Sequence, residues 1–150
     1  MKITYTLWVV FIVMVSGLFQ ACSDDTGMEG MEIHNGKISV YEPPCMWMGL
    51  DMNLAYVINS EEELKAHLTC DPDGVNINFN DSTILFAAGC TIHEVGDIKW
   101  QLRQKSSTEY VLMLEITLKS TPAMNDWCIA LKSPKLPPNS TAELVVNYIN

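Results

Sequence analysis

The sequence predicts an α+β domain built on a mainly antiparallel β-sheet, a sandwich or a partly closed barrel, with one short N-terminal helix. Three observations carry this prediction. Apolar and polar residues alternate through most of the second half of the chain, the two-residue period of strands with one buried face. Only the stretch from Ser60 to Leu68 joins helix-start chemistry to apolar residues one helical turn apart. Finally, 150 residues with 48% apolar composition suffice for one hydrophobic core, not for two domains of ordinary size.

At the N-terminus, Lys2 precedes the apolar run Leu7 to Val15, which is followed by Ser16, Gly17 and the pair Ala21-Cys22. This is the layout of a signal peptide. The run is shorter than the roughly 20 apolar residues of a spanning helix. Ala21-Cys22 resembles the lipobox of bacterial lipoproteins, with Phe19 and Gln20 in the loose form found in the Bacteroidetes, and Ser23-Asp24-Asp25 resembles their acidic surface-export signals. The expectation is a signal peptide over 1–21, a lipid on Cys22, and an outer-membrane address facing the cell surface, with the periplasmic face as the alternative. Residues 22–37, with three glycines and no aromatic residue, read as an acidic flexible stalk.

Residues 38–150 are then expected to form a single β-rich domain. Ile38 to Tyr41 reads as a strand ended by Pro43-Pro44, and Leu54 to Ile58 as a second one. Ser60-Glu61-Glu62-Glu63 is a capping box, in which the Ser60 hydroxyl accepts from the Glu63 amide and the Glu63 carboxylate from the Ser60 amide. Leu64 and Leu68 follow on the buried face. After the turn Asp71-Pro72-Asp73-Gly74, Ile77 and Phe79 alternate with Asn78, and Thr83 to Ala88 is a continuous apolar strand. A loop from Gly89 to Gly96 leads to the alternating Ile98, Trp100 and Leu102. Tyr110, Leu112, Leu114, Ile116 and Leu118 mark one face of a long strand, and Trp127, Ile129 and Leu131 a further one. Pro134, Pro137 and Pro138 punctuate a loop before the last strand, with Leu144, Val146 and Tyr148.

The charge balance of 9 basic against 18 acidic residues, net −9, argues against nucleic-acid binding. Apart from Cys22, the cysteines are Cys45, Cys70, Cys90 and Cys128, an even number in an exported domain, which reads as two disulfides. Of three pairings, Cys45–Cys70 with Cys90–Cys128 is preferred, because it staples the Pro-Pro elbow to the helix and joins two strand ends. No close cysteine pair supports zinc, and Cys90 with His93 as thiol and base would strand a partner thiol. His34, His67 and His93 lack metal-ligand spacing, and there is neither a Gly-x-Ser-x-Gly elbow nor a glycine-rich phosphate loop. Asp71 to Asn76 lacks the calcium-loop ends, since Thr69 and Asn80 occupy them. No catalytic residue, metal or cofactor is therefore expected. Asp81-Ser82-Thr83 resembles an O-glycosylation acceptor of exported Bacteroidetes proteins, which nominates Ser82. Cys45-Met46-Trp47-Met48 and Met52 read as core filler, with an adaptable binding patch as the alternative.

The order of helix, Ile77-Asn78-Phe79, the strand Thr83 to Ala88 ending in Gly89, Gly96-Asp97-Ile98 and the closing strands resembles small cell-surface lipoproteins of the Bacteroidetes. Over residues 54–149 it is similar, more distantly, to the C-terminal domain of PrcB-type lipoproteins, which support a surface protease complex; Cys90 to Gly96 replaces the Gly-Gly-Tyr turn of that family. The resemblance implies association with other proteins and no catalysis. The expected function is a non-catalytic, lipid-anchored protein-binding or accessory domain associated with a peptidase. Thr91, Ile92, His93 and Glu94 are the expected partner contacts, presented by a loop on a rigid scaffold. The alternatives are an inhibitor of a secreted cysteine peptidase and a hydrolase with an unrecognised site.

Overall fold

A computed structural model describes residues 37–43, 46–69 and 77–150, together with the backbone of 32–33. The signal peptide, Cys22, most of the stalk, His34, Cys45, Cys70 and the Asp71 to Asn76 turn lie outside the described residues.

Two long strands dominate, β4 (Ser82–Gln104) and β5 (Glu109–Pro134), which pair antiparallel as one hairpin. Shorter strands flank its two ends. β3 (Ala55–Ile58) pairs with β4 opposite Ile84 to Ala87, and β2 (Ser39–Val40) with β5 at Leu131 and Lys132. At the other end β1 (Glu32–Ile33) pairs with Arg103 and Gln104, while β6 (Thr141–Ile149) runs parallel to β5 beside Glu109 to Thr117. The sheet is thus mainly antiparallel, as the alternation predicts, and the described residues contain one helix, α1 (Glu61–Ala66).

Residues 83–104 do not divide into two strands around a loop. The pairing of β4 with β5 continues through Gly89 to Gly96, with register shifts between Thr91 and His93, His93 and Val95, and Val95 and Asp97. These shifts insert one or two extra residues at a time, mostly on β5, which breaks the two-residue period while leaving the ladder in place. The alternation therefore lapses where the strand does not. Residues 119–126 of β5 escape detection for the same reason. Ile77 and Phe79 are not in a strand either. The Asn78 side chain accepts from the Asn80 amide at 3.1 Å and donates to the Asp81 carboxylate at 3.1 Å, closing a turn that packs both residues on the core.

Two apolar clusters lie on opposite faces of the first part of the hairpin. The larger joins Leu85 and Ala87 of β4, Leu112, Leu114 and Ile116 of β5, and Ile129 and Leu131 further along β5. Side chains from the two ends of the hairpin thus share one core. On the other face, Ile84, Phe86 and Ala130 pack with Ile58, Leu64 and Leu68, the last two brought by α1 and the turn after it. Burial on both faces is why Thr83 to Ala88 is continuously apolar. Thr83 is a buried polar residue, and its hydroxyl donates to Asn59 Oδ1 at 2.6 Å and accepts from the Leu136 amide at 3.0 Å.

α1 is capped as its sequence predicts on one side only. Ser60 Oγ accepts from the Glu63 amide at 3.1 Å, whereas the Glu63 carboxylate takes the Asn59 amide, at 2.6 Å, and not that of Ser60.

Candidate functional site

The register of β4 and β5 sets Phe86 opposite Ala130, Ala88 opposite Cys128 and Cys90 opposite Asp126, all on one face. Tyr41, Trp47, Leu50 and Tyr56, with Leu64 of α1, cover that face at Phe86. Beyond Ala88 the cover ends, leaving an open cleft of about 820 Å³. Its wall is Trp47, which bridges to Leu68, lies 4.4 Å from the Phe86 ring centroid and meets Tyr41 edge-on.

Met46 and Met48 flank Trp47, and with Met52 they line the cleft. Their exposures are 75%, 47% and 47%. The core-filler reading of this segment is therefore right for Trp47 and wrong for the methionines, because anchoring Trp47 inward turns its neighbours outward. Their backbone is fixed. Met48 donates its amide to the His67 carbonyl at 2.9 Å and the Met46 carbonyl accepts from the Thr69 amide at 3.0 Å. Gly49 at φ 66° and Asn53 at φ 63° make the reversals, and the Asn53 amide donates to the Ala88 carbonyl at 2.7 Å. Gly49 is suited to its place because that conformation is strained for side-chain-bearing residues.

Cys90 and Cys128 are free thiols, which corrects the expected bridge between them. They share a face, but the register pairs each with a different residue, so they are diagonal neighbours. Diagonal pairs lie about 7 Å apart, against about 3.8 Å between the β-carbons of a disulfide. Cys128 lines the cleft, and burial raises its thiol pKa above the ordinary value. Among the described residues no hydrogen bond joins Cys90 to His93, and the buried His93 Nδ1 has no partner.

Thr91, Ile92, His93 and Glu94 lie in the bulged middle of β4, a correction to the loop expected there. The flanking strands β3 and β1 stop short of it on one side, and β6 and β2 on the other. This stretch is a two-stranded ribbon. Ile92 is 70% exposed, and across the ribbon Met124, a residue that sequence reasoning passed over, is 86% exposed. Glu94 pairs with Lys119 on β5. Met124 follows Pro122 and Ala123, and nothing in that order signals a strand facing Ile92.

Ser82 is 4% exposed and its hydroxyl donates to Asp81 Oδ1 at 2.6 Å. In the folded domain the hydroxyl nominated for glycosylation is therefore covered. No group of three His, Cys, Asp or Glu side chains suited to a metal occurs among the described residues. No helix there is long and apolar enough to cross a membrane. Comparison of the chain with protein-family models, with curated proteins and with solved structures finds no match in any of the three.

Proposed function

We propose that this chain is a non-catalytic, lipid-anchored binding domain of the cell envelope, taking a protein partner on the bulged middle of the β4–β5 hairpin. The observation that carries the reading is the pair Ile92 and Met124, two large apolar side chains held out to solvent where, among the described residues, no third strand pairs with the ribbon. Burying such a side chain contributes about 1.5–3 kcal/mol. A hydrogen-bonded ribbon presents both with little ordering entropy left to lose. The resemblance to PrcB-type lipoproteins supports the same class of role, with a surface peptidase complex as the setting.

In this reading the hairpin turns over at its bulges, so that its two ends become the facing layers of a small sandwich. The shared core of Leu85 with Leu112 and the hydrogen bond from Trp127 Nε1 to the Tyr148 hydroxyl at 3.1 Å support that arrangement. Acyl chains on Cys22 hold the domain at the membrane, each buried methylene contributing about 0.8 kcal/mol. Removal of residues 1–21 takes away Lys2, leaving 8 basic against 18 acidic residues and a net charge of −10. A domain so charged has no electrostatic attraction to an anionic membrane and depends on its lipid.

The test is cross-linking on intact cells with the double variant Ile92→Ala/Met124→Ala. Recovery of the partner is expected to fall several-fold while the thermal unfolding midpoint stays unchanged, since both side chains are already solvated. Undiminished recovery would remove this surface. A companion variant, Cys22→Ala, is expected to leave the membrane fraction; its retention after a high-salt wash would count against the anchor.

A further inference from the structure

The cleft rim carries a ligand chemistry unlike that of the ribbon. Three thioethers, from Met46, Met48 and Met52, stand on one wall, and the Cys128 thiol lies on the β5 side of the same cleft. Methionine is among the residues most often buried. Here three are exposed within seven positions, on a backbone pinned by the Met46, Met48 and Asn53 hydrogen bonds. The side chains themselves keep three rotatable bonds each, so the sulfurs are free to adjust within the cleft.

We propose that this cleft binds a soft monovalent cation, Cu(I), through the thioethers of Met46, Met48 and Met52, with Cys128 as a fourth donor. Softness decides the metal. Thioether and thiolate sulfur select Cu(I), whereas zinc wants imidazole and thiolate, and calcium and magnesium want oxygen. The described residues offer no cluster of three His, Cys, Asp or Glu side chains to those harder ions. Trp47 lines the same cleft between Met46 and Met48, which puts a fluorophore beside the site. The net charge of −9 raises the local concentration of any cation. Thioethers bind without losing a proton. Cys128 releases one to the solvent as it coordinates, so the thiolate and the monovalent ion together are neutral.

The experiment supplies Cu(I) as its acetonitrile complex, without oxygen, to the full chain in competition with a chromophoric bicinchoninate chelator. One equivalent is expected to move to the protein, with quenching of tryptophan fluorescence in step. Met46→Leu/Met48→Leu/Met52→Leu preserves side-chain volume; it is expected to weaken Cu(I) binding on the order of 100-fold and to abolish the quenching, with the unfolding midpoint unchanged. Met46→Leu alone, at the most exposed of the three, gives a smaller loss in the same direction. Cys90→Ser/Cys128→Ser is expected to keep the thioether site, with weaker binding that no longer varies with pH. The proposal is overturned if the triple leucine variant withdraws Cu(I) as well as the unaltered chain. It is equally overturned if the double serine variant withdraws none, since binding would then belong to the thiols alone. Because neither Ile92 nor Met124 is altered, failure here leaves the partner surface untouched.

Discussion

Gly89 stands directly opposite Trp127, and a β-carbon at that position would come within 2.5 Å of the indole ring. The ring cannot move freely, because Trp127 is buried and its Nε1 donates to the Tyr148 hydroxyl. Gly89→Ala therefore displaces an indole from the core and strains the hydrogen bond between β5 and β6. A loss of about 1–3 kcal/mol is expected, read from the denaturant midpoint, and wild-type stability in that variant would contradict this packing. Cys128, the next residue, is exposed on the opposite face, yet the cleft around it partly desolvates its thiol. Desolvation raises the thiol above its ordinary pKa of 9.0, so less thiolate is present at any given pH, and the thiolate is the nucleophile. In Cys90→Ser, labelling of Cys128 by iodoacetamide is expected to rise with pH to a midpoint above that of an unstructured thiol. Unfolding with urea should restore the ordinary midpoint, and an identical midpoint in both states would refute the shift.

α1 has only six residues, too few to be stable alone, so it depends on its cap and on Leu64 packed into the second cluster. Ser60→Ala leaves the Glu63 amide without its acceptor and is expected to cost about 1 kcal/mol. An unchanged urea midpoint would mean that packing alone holds the helix. The Ser60 half of the cap was legible in the sequence because its partners lie three residues apart, whereas the turn of the Glu63 carboxylate to the Asn59 amide was not. The buried set Leu112, Leu114 and Ile116 was legible because alternation reports a face directly. What depends on register was not. The diagonal placement of Cys90 and Cys128 follows from which residues pair across β4 and β5, and periodicity contains no such information. The outward turn of Met46 and Met48 follows from Trp47 stacking on Phe86, 39 residues away in the chain. Spacing would still have drawn attention to that rim, since Met-x-Met followed four residues later by Met concentrates sulfur in a short turn.

Proton binding reports on the whole molecule, because its effect on stability is a difference between the complete folded and unfolded states. Burial raises the pKa of Tyr41 and of Tyr110 above the ordinary 10.0. Above pH 10 the unfolded chain releases these phenolic protons while the folded chain retains them, so stability must fall as pH rises. Below pH 9 neither group contributes to the slope. Self-repulsion of an acidic chain acts in the same direction at high pH, and a single unfolding curve cannot separate the two. Tyr41→Phe separates them. The Tyr41 hydroxyl is buried without a hydrogen-bond partner among the described residues, so removing it discards a desolvated polar group and is expected to be neutral or stabilising at pH 8. Its charge repulsion with the rest of the chain is unchanged at that pH. Between pH 8 and pH 11 the variant should lose less stability than the unaltered protein, by the share of the alkaline slope that Tyr41 carries. Urea midpoints at the two pH values measure this directly. Parallel losses in both proteins would mean that the Tyr41 phenol is solvated, and that the inner wall of the cleft is wetter than its packing against Trp47 implies.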